Sequence, residues 1–492
     1  MKLVAEEIDI GSHTPTVLLH EADAAELGAH PLDRVQVERD GRTSVGIVEV
    51  TDELLDPGRM AVTRPLGHIR GRVEVTLAPK PQAVGAIRKK LDDIELEQHE
   101  LTSIVHDVND DRLNDVELAA FVTALYAHGL SREETRNLTT TMVDVGQTID
   151  WDREVVADKH SIGGVAGNRT TPIVVPIVAS AGVTIPKTSS RAVTSAAGTA
   201  DTMEVFCEVA FDLEEIRRIV RETGGCMVWG GAVDLSPVDD KIIRAETPLS
   251  LDPPSQIIAS VLSKKHAAGS THVVLDIPYG EGAKVDSLPA ARELAEDFKH
   301  VGDSIGMAVE CAITRGQEPI GDGVGPVLEA RDVLAVLEGD GPPKLRSKAV
   351  RLADLLLDRC GVDADAAALL DSGRARETFG DVVAAQDGDP DVTRADLEPG
   401  EFTATVRAGR RGAVTHVDNR TVNELARRAG APKDPAAGVD LAVHVGDAVD
   451  PGDDLFVIHA EKESKLADAE RYADAAEPVR VRGADEALVE RY

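Results

Sequence analysis

The hydrophobic period changes along this chain, and each change limits the fold that the surrounding residues can adopt. From Met1 to about Pro79, apolar and polar residues alternate in short runs such as VQVERD and VGIVEV, which predicts a small β-rich domain. From Val84 to about Ile149 the period is helical, and Ser131 opens one segment with the Ser-x-x-Glu pattern of a capping box. Further along the chain, apolar runs that are interrupted by glycine alternate with helical segments, which is typical of a mixed α/β layer.

The last third of the chain changes character again. Helices rich in Ala and Leu follow about Gly341, and an all-β pattern with turn signals begins at Glu401. The Gly-Asp-x-Val-x-x-Gly-x-x-Leu spacing in this part resembles that of biotinyl and lipoyl carriers. However, no lysine lies between Lys433 and Lys462 to carry a cofactor. We therefore expect a structural, barrel-like β module.

With 492 residues the chain is too long for one core, and we predict a multidomain α/β protein. The predicted parts are a β-rich N-terminal domain at 1–83, a core at 84–340 and a C-terminal α+β domain at 341–492. The core consists of a helical segment at 84–150 and a glycine-rich α/β segment at 151–340. Nothing in the N-terminal part suggests chemistry, so an assembly role for it is compatible with catalysis elsewhere.

The composition indicates the setting in which the protein works. With 53 basic and 87 acidic side chains the formal charge is −34, which disfavours binding to nucleic acid or to an anionic membrane. Such self-repulsion is tolerated in concentrated salt, where the Debye length is about 3 Å. We therefore expect a halophilic source, the alternative being an ordinary acidic cytosolic protein.

Targeting signals and metal motifs are missing from the sequence. The N-terminus carries acids where a signal peptide needs an apolar core, and no apolar run approaches a membrane span, so we expect a cytoplasmic protein. Cys207, Cys226, Cys311 and Cys360 lie far apart, and we expect buried free thiols and no metal site.

The segment from Ala157 to Glu204 concentrates the chemistry of an oxyanion site. Gly163 and Gly164 allow a close approach of the backbone to a phosphate, while Lys159 and Arg191 supply charge. The hydroxyl donors in the same segment are Ser161, Ser189, Ser190, Thr194, Ser195 and Thr199. The spacing matches neither the Walker nor the dinucleotide-binding pattern, so we predict a phosphate site of another kind.

These residues resemble the thymidine phosphorylase family. The resemblance rests on Lys-His-Ser-x-Gly-Gly from Lys159, on Ser189-x-Arg191, and on Gly-Thr-x-Asp-x-x-Glu from Gly198 to Glu204. It continues through LSPVDDK, SVLSKK and PIGDGVGPVLEARDVL, and it covers roughly 86–460. Several independent motifs in the right order exclude chance agreement.

Three departures from the thymidine enzymes are informative. Ala192 and Val193 replace the family's Gly-Leu after the loop arginine, the Tyr-Ala-Leu-Arg-Asp segment is replaced by IIRAETPLSLDPP, and about eighty residues precede the helical segment. These features fit the archaeal branch of the family, which cleaves nucleoside 5′-monophosphates with phosphate. The implied reaction converts AMP and phosphate to adenine and ribose 1,5-bisphosphate, in nucleotide salvage or degradation.

The resemblance implies a pentosyltransferase that needs no cofactor, with inorganic phosphate as co-substrate, acting as a homodimer or larger homo-oligomer. Two alternatives stay open at this point. One is a purine nucleoside or thymidine phosphorylase that acts on the unphosphorylated nucleoside. The other is a phosphoribosyltransferase on a similar scaffold, which would need a metal ion for pyrophosphate, and whose glycine-rich signature is not found here.

The family's ligand residues carry over position by position to two sets. The resemblance assigns inorganic phosphate to Lys159, His160, Ser161, Thr170, Ser189 and Thr199. It assigns AMP to Gly164, Ser190, Arg191, Ala192, Val193, Thr194, Ser195, Thr199, Ser260, Lys264 and Lys284. One loop must serve both sets. Asp201 and Glu204 are expected to brace that loop, and Lys265 is expected to be solvated.

A purine that leaves as a base must be protonated by a positioned acid, and Asp252 is the candidate. Two prolines follow it and fix the local backbone before a helical segment. A helix N-terminal acid that serves the helix dipole is an equally good interpretation of the sequence alone. The archaeal resemblance favours the proton donor. Lys284 has a similar alternative, as an ordinary surface lysine.

Overall fold

The computed structural model describes residues 1–11, 14–192, 195–233, 235–249 and 251–483. The chain forms two compact units. One unit comprises Met1–Gly146 with Ser236–Ser260, and the other comprises Gln147–Leu235 with the chain from Val261 onward. In the ranges given above, no helix is long and apolar enough to cross a membrane.

The N-terminal residues form a closed six-stranded β-barrel with strand order β1-β5-β2-β4-β3-β6. The strands are β1 (Lys2–Glu7), β2 (Thr16–His20), β3 (Arg34–Arg39), β4 (Arg42–Thr51), β5 (Arg59–Val62) and β6 (Gly71–Leu77), with helix α1 (Glu21–Leu27) after β2. Alternate residues such as Val17, Leu19, Val35 and Val37 fill the interior, as the period-2 pattern predicts. The predicted β-rich domain is confirmed.

A helical bundle follows the barrel in the same unit. Its helices are α2 (Gln82–Leu91), α3 (Gln98–Asn109), α4 (Asp115–His128) and α5 (Arg132–Asp144). Ser131 caps α5 by accepting the backbone N–H of Glu134 at 3.2 Å, and the Glu134 carboxylate accepts the N–H of Ser131 at 2.7 Å, so the predicted capping box is confirmed. The same carboxylate pairs with the buried ammonium of Lys90 at 3.1 Å.

The α/β part alternates strands and helices. Its elements are β7 (Ala157–Ser161), α6 (Thr171–Ser180), β8 (Ile185–Ser189), α7 (Thr199–Met203), α8 (Leu213–Thr223), β9 (Gly225–Trp229), α9 (Pro237–Glu246), α10 (Pro254–Ala267), β10 (His272–Tyr279), α11 (Leu288–Ser304), β11 (Ala308–Arg315), β12 (Gly323–Val324) and α12 (Pro326–Leu337). Val238, Ile242 and Ala259, on α9 and the first half of α10, belong to the core of the helical bundle.

All strands that carry the α/β sheet run parallel. One sheet has the order β11-β10-β7, and a second pairs β8 with β9. A single parallel bridge between Val156 and Thr184 aligns β7 with β8. Their carboxyl ends therefore meet at one edge, which is where α/β folds bind ligands.

The C-terminal part begins with α13 (Pro343–Arg359), α14 (Ala366–Asp371) and α15 (Arg374–Ala385). The β module follows, with β13 (Phe402–Arg407), β14 (Gly412–Val417), α16 (Asn419–Ala429), β15 (Gly438–Leu441), β16 (Ala448–Val449), β17 (Asp454–Ala460), α17 (Glu463–Ala476) and β18 (Val479–Arg482). Its strands form a sheet β12-β15-β17-β13 and a sheet β16-β14-β18. The all-β pattern predicted from Glu401 is wrong in one respect, because α16 and α17 interrupt the strands.

The predicted class, a multidomain α/β protein with a C-terminal α+β part, is confirmed. The cysteines are free thiols, as expected, but only Cys207 and Cys226 are buried, whereas Cys311 and Cys360 are half-buried. Burial raises the pKa of Cys207 and Cys226 to about 12.

Candidate active site

The predicted phosphate residues of the second unit lie at the carboxyl edge of β7 and β8. Lys159, His160 and Ser161 are the last three residues of β7, and Ser189 is the last residue of β8. The loops that follow these strands carry the remaining predicted phosphate ligands, namely Thr170, which immediately precedes α6, and Thr199, which begins α7. The topology therefore brings two sequence motifs to one place.

Lys159 occupies the centre of this edge. Its side chain is buried, and its ammonium donates to the Thr170 hydroxyl at 2.6 Å and to the Thr171 hydroxyl at 3.4 Å. Burial lowers the pKa of Lys159 to about 7, although the nearby carboxylate of Asp276 acts in the opposite direction. A cation kept from water in this way gains from the arrival of an anion.

The glycines after β7 permit a close approach between two loops. Gly163 and Gly164 have φ of +96° and +85°, which L-residues rarely adopt. A Cβ on Gly164 would collide with the backbone nitrogen of Lys284, so the turn that carries Lys284 lies directly against this glycine. The Lys284 side chain itself is exposed. Two predicted AMP residues are therefore neighbours.

Ser161 is tied to a buried acid. Its hydroxyl donates to Asp276 Oδ2 at 2.9 Å and accepts from the Asn168 amide at 3.1 Å. Burial by itself would raise the pKa of Asp276, but the ammonium groups of Lys348, at 2.8 Å, and of Lys159 hold the pKa below its usual value. A phosphate bound by Ser161 has to compete with Asp276 for the hydroxyl proton.

A second buried carboxylate, Asp158, holds two more lysines. Lys265 Nζ lies 2.8 Å from Asp158 Oδ2, and Lys187 Nζ lies 3.6 Å from Oδ1. The prediction that Lys265 is solvated is wrong, because only 2% of this residue is exposed. Burial, followed by the charges of Lys265 and Lys187, lowers the pKa of His160 well below its ordinary value. His160 is therefore neutral near pH 7.

The loop after β8 is braced as predicted. Asp201 Oδ2 accepts the backbone N–H groups of Ala192 at 2.6 Å and Gly198 at 2.7 Å. The Arg191 guanidinium pairs with Glu204 and lies 5.0 Å above the centre of the Trp229 ring. An arginine assigned to AMP is thus already held by an acid and an aromatic face, which orient it.

The remaining members of the loop differ in exposure. Ser190 is exposed, and the Ser195 hydroxyl donates to Ala197 O at 2.9 Å. The Ser189 hydroxyl is buried, and it has no hydrogen-bond partner within the described ranges. Val193 and Thr194 lie outside the described residues. An unpartnered buried hydroxyl at a predicted phosphate position has a donor to offer.

Sequence reasoning missed Arg169, which joins the two loops. Its guanidinium donates to the Thr199 hydroxyl at 3.0 Å and to Ala197 O at 2.9 Å, and it pairs with the buried carboxylate of Glu329. Lys187 and Lys348 were missed as well. The signal available was a basic residue in a glycine-rich run for Arg169 and at the end of an apolar run for Lys187, whereas Lys348 lies among other basic residues of α13 and carries no such signal.

Thr170 and Thr199 share one arrangement. Each hydroxyl oxygen accepts from a cation, Lys159 in one case and Arg169 in the other. Across the described part of the chain, neither hydroxyl donates to a protein acceptor. Both hydroxyl protons therefore remain for an anion at the edge of the sheet.

Asp252 and Ser260 belong to the first compact unit, unlike the loops above. Asp252 is exposed and lies two residues before the first residue of α10. Ser260 and Lys264 lie one turn apart on α10, and both are half-buried. Their assignment to the proton donor and to AMP stays a prediction.

The buried charges of this edge do not balance. The buried basic side chains are Lys159, Lys187, Lys265 and Lys348, joined by the half-buried Arg169, and the buried carboxylates are Asp158, Asp201, Asp276 and Glu329. Five basic side chains thus face four acids in a protein whose total charge is −34. No group of three or more His, Cys, Asp or Glu side chains suited to a metal ion occurs in the described ranges. The arrangement can hold an anion such as phosphate.

Comparison with known proteins places this site in a family. The glycosyl transferase family models match at 84–146, as a helical bundle domain, and at 153–340, as an a/b domain. The pyrimidine nucleoside phosphorylase C-terminal domain matches at 413–479. The domain boundaries predicted at 83/84 and 340/341 stay a prediction.

Relatives match over the whole chain. AMP phosphorylase of Natronomonas pharaonis is 60% identical and covers 100% of both chains. Those of Thermococcus kodakarensis and Methanosarcina barkeri are 45% and 43% identical, over 98% of this chain and 98% and 97% of theirs.

A solved structure shares the fold. Anthranilate phosphoribosyltransferase of Thermus thermophilus matches with a TM-score of 0.53 at 17% identity, over 62% of this chain and 99% of that one. At this identity the likeness shows the fold alone. From the full-length matches, the chain belongs to the AMP phosphorylase family.

Proposed function

We propose that the protein cleaves AMP with inorganic phosphate to adenine and ribose 1,5-bisphosphate. The observation that carries the proposal is the edge of β7 and β8, where the Lys159 ammonium is buried and the hydroxyls of Thr170 and Thr199 keep their protons. The full-length identity of 60% to an AMP phosphorylase supports the same reaction.

In this reaction a phosphate oxygen attacks C1′ of the ribose. The new bond forms between that oxygen and C1′, the C1′–N9 bond breaks, and its electron pair moves to the departing adenine. The Lys159 ammonium and the hydroxyls of Thr170, Ser189 and Thr199 hold the nucleophile. Asp252 gives the proton that adenine needs to leave as a neutral base.

The 5′-phosphate of AMP needs a second anion subsite. We assign it to the side of the loops that carries Gly164, Arg191 and Lys284. The support is the direct approach of Gly164 to the Lys284 turn, together with an arginine oriented by Glu204 and Trp229.

A substrate panel tests the proposal. The protein is incubated with phosphate and either a nucleoside monophosphate or the corresponding nucleoside, and free base is measured by chromatography. We expect adenine from AMP, dependent on phosphate, together with ribose 1,5-bisphosphate. Cleavage of adenosine at the rate of AMP would favour an ordinary nucleoside phosphorylase, and cleavage of neither would refute phosphorolysis of adenine compounds.

We also propose that the enzyme works in the cytoplasm of a salt-adapted cell and acts as a homo-oligomer. The net charge of −34 supports the first part. The resemblance to the thymidine phosphorylase family supports the second. Light scattering in molar potassium chloride gives the mass, and a monomer would refute the assembly.

A further inference from the structure

One face of helix α16 carries three polar side chains at intervals of four residues, Asn419, Asn423 and Arg427. Asn419 is fully buried. Its Oδ1 accepts the backbone N–H of Ala166 at 3.0 Å, and its Nδ2 donates to Gly316 O at 2.9 Å. The first turn of α16 thus holds the glycine-rich loop after β7.

The next two turns of α16 contact the loop after β8. Asn423 Oδ1 accepts the backbone N–H of Ala196 at 3.1 Å, and the Arg427 guanidinium donates to Ser195 O at 3.2 Å. Both partners lie between Ser189 and Thr199, the first and last predicted ligands of this loop. A single helix therefore contacts both loops that carry predicted phosphate and AMP residues.

The neighbouring apolar face of α16 is fixed in the β module. Val422, Leu425, Ala426 and Ala429 are fully buried in the core of that module. The turn before Lys284 also lies close, since a Cβ on Gly282 would stand 3.4 Å from Asn419 Cβ. The polar face is thus presented by a rigid element rather than by another loop.

From these contacts we infer that α16 positions the substrate loops, with Asn419, Asn423 and Arg427 acting through the backbone of those loops rather than on the substrate. The inference rests on the proposed function. Irregular loops have backbone groups without regular partners, and small misplacements of ligand-holding groups reduce rates strongly. The C-terminal β module, expected from sequence to be structural only, thereby becomes part of the catalytic apparatus.

Asn423 offers the clearest test. Its side chain is half-buried, and the hydrogen bond described above joins it to the loop after β8. Asn423→Leu removes the acceptor and keeps the branched shape of the side chain, whereas Asn423→Asp keeps the acceptor. Arg427→Gln and Arg428→Gln form a matched pair on the same helix. Arg428 pairs with Glu424 at 2.8 Å and stacks on Tyr472, away from the loops.

The full chain carries each variant, and three quantities are measured: kcat and KM for phosphate and AMP, the melting temperature, and amide hydrogen exchange of the peptide around 190–199. Loss of one acceptor for a loop N–H predicts that Asn423→Leu lowers kcat/KM by roughly tenfold. Exchange in the loop should rise while the melting temperature changes little. Asn423→Asp and Arg428→Gln should have the kcat/KM and the loop exchange of the wild type. Arg427→Gln should show a smaller loss of kcat/KM and a smaller rise in loop exchange than Asn423→Leu.

Two results would overturn the inference. One is an Asn423→Leu enzyme with normal kcat/KM and normal loop exchange. The other is activity that follows the melting temperature equally in all four variants, which would indicate general destabilisation. If Asn423→Leu does not fold, the comparison of Arg427→Gln with Arg428→Gln tests the inference in its place. If the wild type does not cleave AMP, the proposed function fails, while the exchange data still decide whether α16 orders the loop.

Discussion

Lys159 shows at the scale of one residue how burial prepares an anion site. With its pKa lowered to about 7, the free ammonium loses its proton as the pH rises above neutrality. A bound dianion favours the protonated form, so binding above pH 7 requires proton uptake. Anion affinity must therefore fall as the pH rises through this pKa.

The direction of this pH dependence can be measured with sulfate, because the charge of sulfate, unlike that of phosphate, is constant between pH 6 and 9. We expect the inhibition constant of sulfate against phosphate to rise by up to roughly tenfold per pH unit above 7. Lys159→Met should bind sulfate weakly and without this dependence. A wild-type inhibition constant that stays flat from pH 6 to 9 would show that Lys159 does not bind the anion.

The role of Asp252 can be separated from helix capping by one substitution. Asp252→Asn removes the transferable proton but keeps the shape, so turnover on AMP should fall by roughly 10²–10⁴ with little change in AMP binding. The capping alternative predicts nearly intact catalysis and a stability loss of at most about 1 kcal/mol. Single-turnover rates and melting temperatures together distinguish the two, and a fully active variant rules out the proton donor.

Residue types and spacing predicted Asp201 as a bracing acid and drew attention to Lys159 and Ser189, which the fold brings to one edge, because all three lie within short motifs. Lys187 and Lys265 could not be assigned in the same way. A lysine beside an apolar run has the same sequence signature whether it is solvated or neutralised, and their partner Asp158 is distant in the chain. Buried charge pairs are properties of the tertiary fold.

At the scale of elements, β7 and β8 supply the edge and Arg169 ties their loops together. Its partner Glu329 is fully enclosed, and burial raises the pKa of that carboxyl despite the nearby guanidinium. Removing one member of such a pair leaves the charge of the other member buried and unpaired. Arg169 therefore has a structural and a positioning effect, which two variants can separate.

Arg169→Met should cost about 3–5 kcal/mol of folding free energy, because it leaves Glu329 unpaired. The double variant Arg169→Met with Glu329→Leu should recover most of that stability but not phosphate affinity, since the Thr199 and Ala197 contacts stay lost. Denaturant unfolding and phosphate titration provide the two readouts. Recovery of both by the double variant would contradict the loop-joining role.

The elements with strong periodicity were predicted well from the sequence, as β3 and β4 show. Helix α16 was not, because it is short and lies between strand-like runs that dominated the pattern. Its apolar face, from Val422 to Ala429, is clear only when those residues are read with a helical period. The contacts of its polar face come from residues more than one hundred positions away.

At the scale of the whole molecule, the excess of acids opposes folding, while four lysines are buried at the candidate anion site. The formal charge of −34 produces self-repulsion among surface carboxylates, whereas the lysines around Asp158 and Asp276 are removed from solvent. Salt screens the exposed charges far more than the buried ones. Added salt should therefore stabilise the fold through its surface.

The melting temperature should rise steeply from 10 mM to molar potassium chloride, because the Debye length shrinks from about 30 Å to about 3 Å over that range. Sucrose at matched osmolality provides the control, since it stabilises by exclusion from the surface and does not screen charge. Screening predicts a larger gain in the salt than in the sugar, and a gain that shrinks near pH 4, where protonation of carboxylates lowers the repulsion. A melting temperature that is flat in salt, or that rises equally in sucrose, would remove charge repulsion as the reason for salt dependence and with it the proposal of a salt-adapted source.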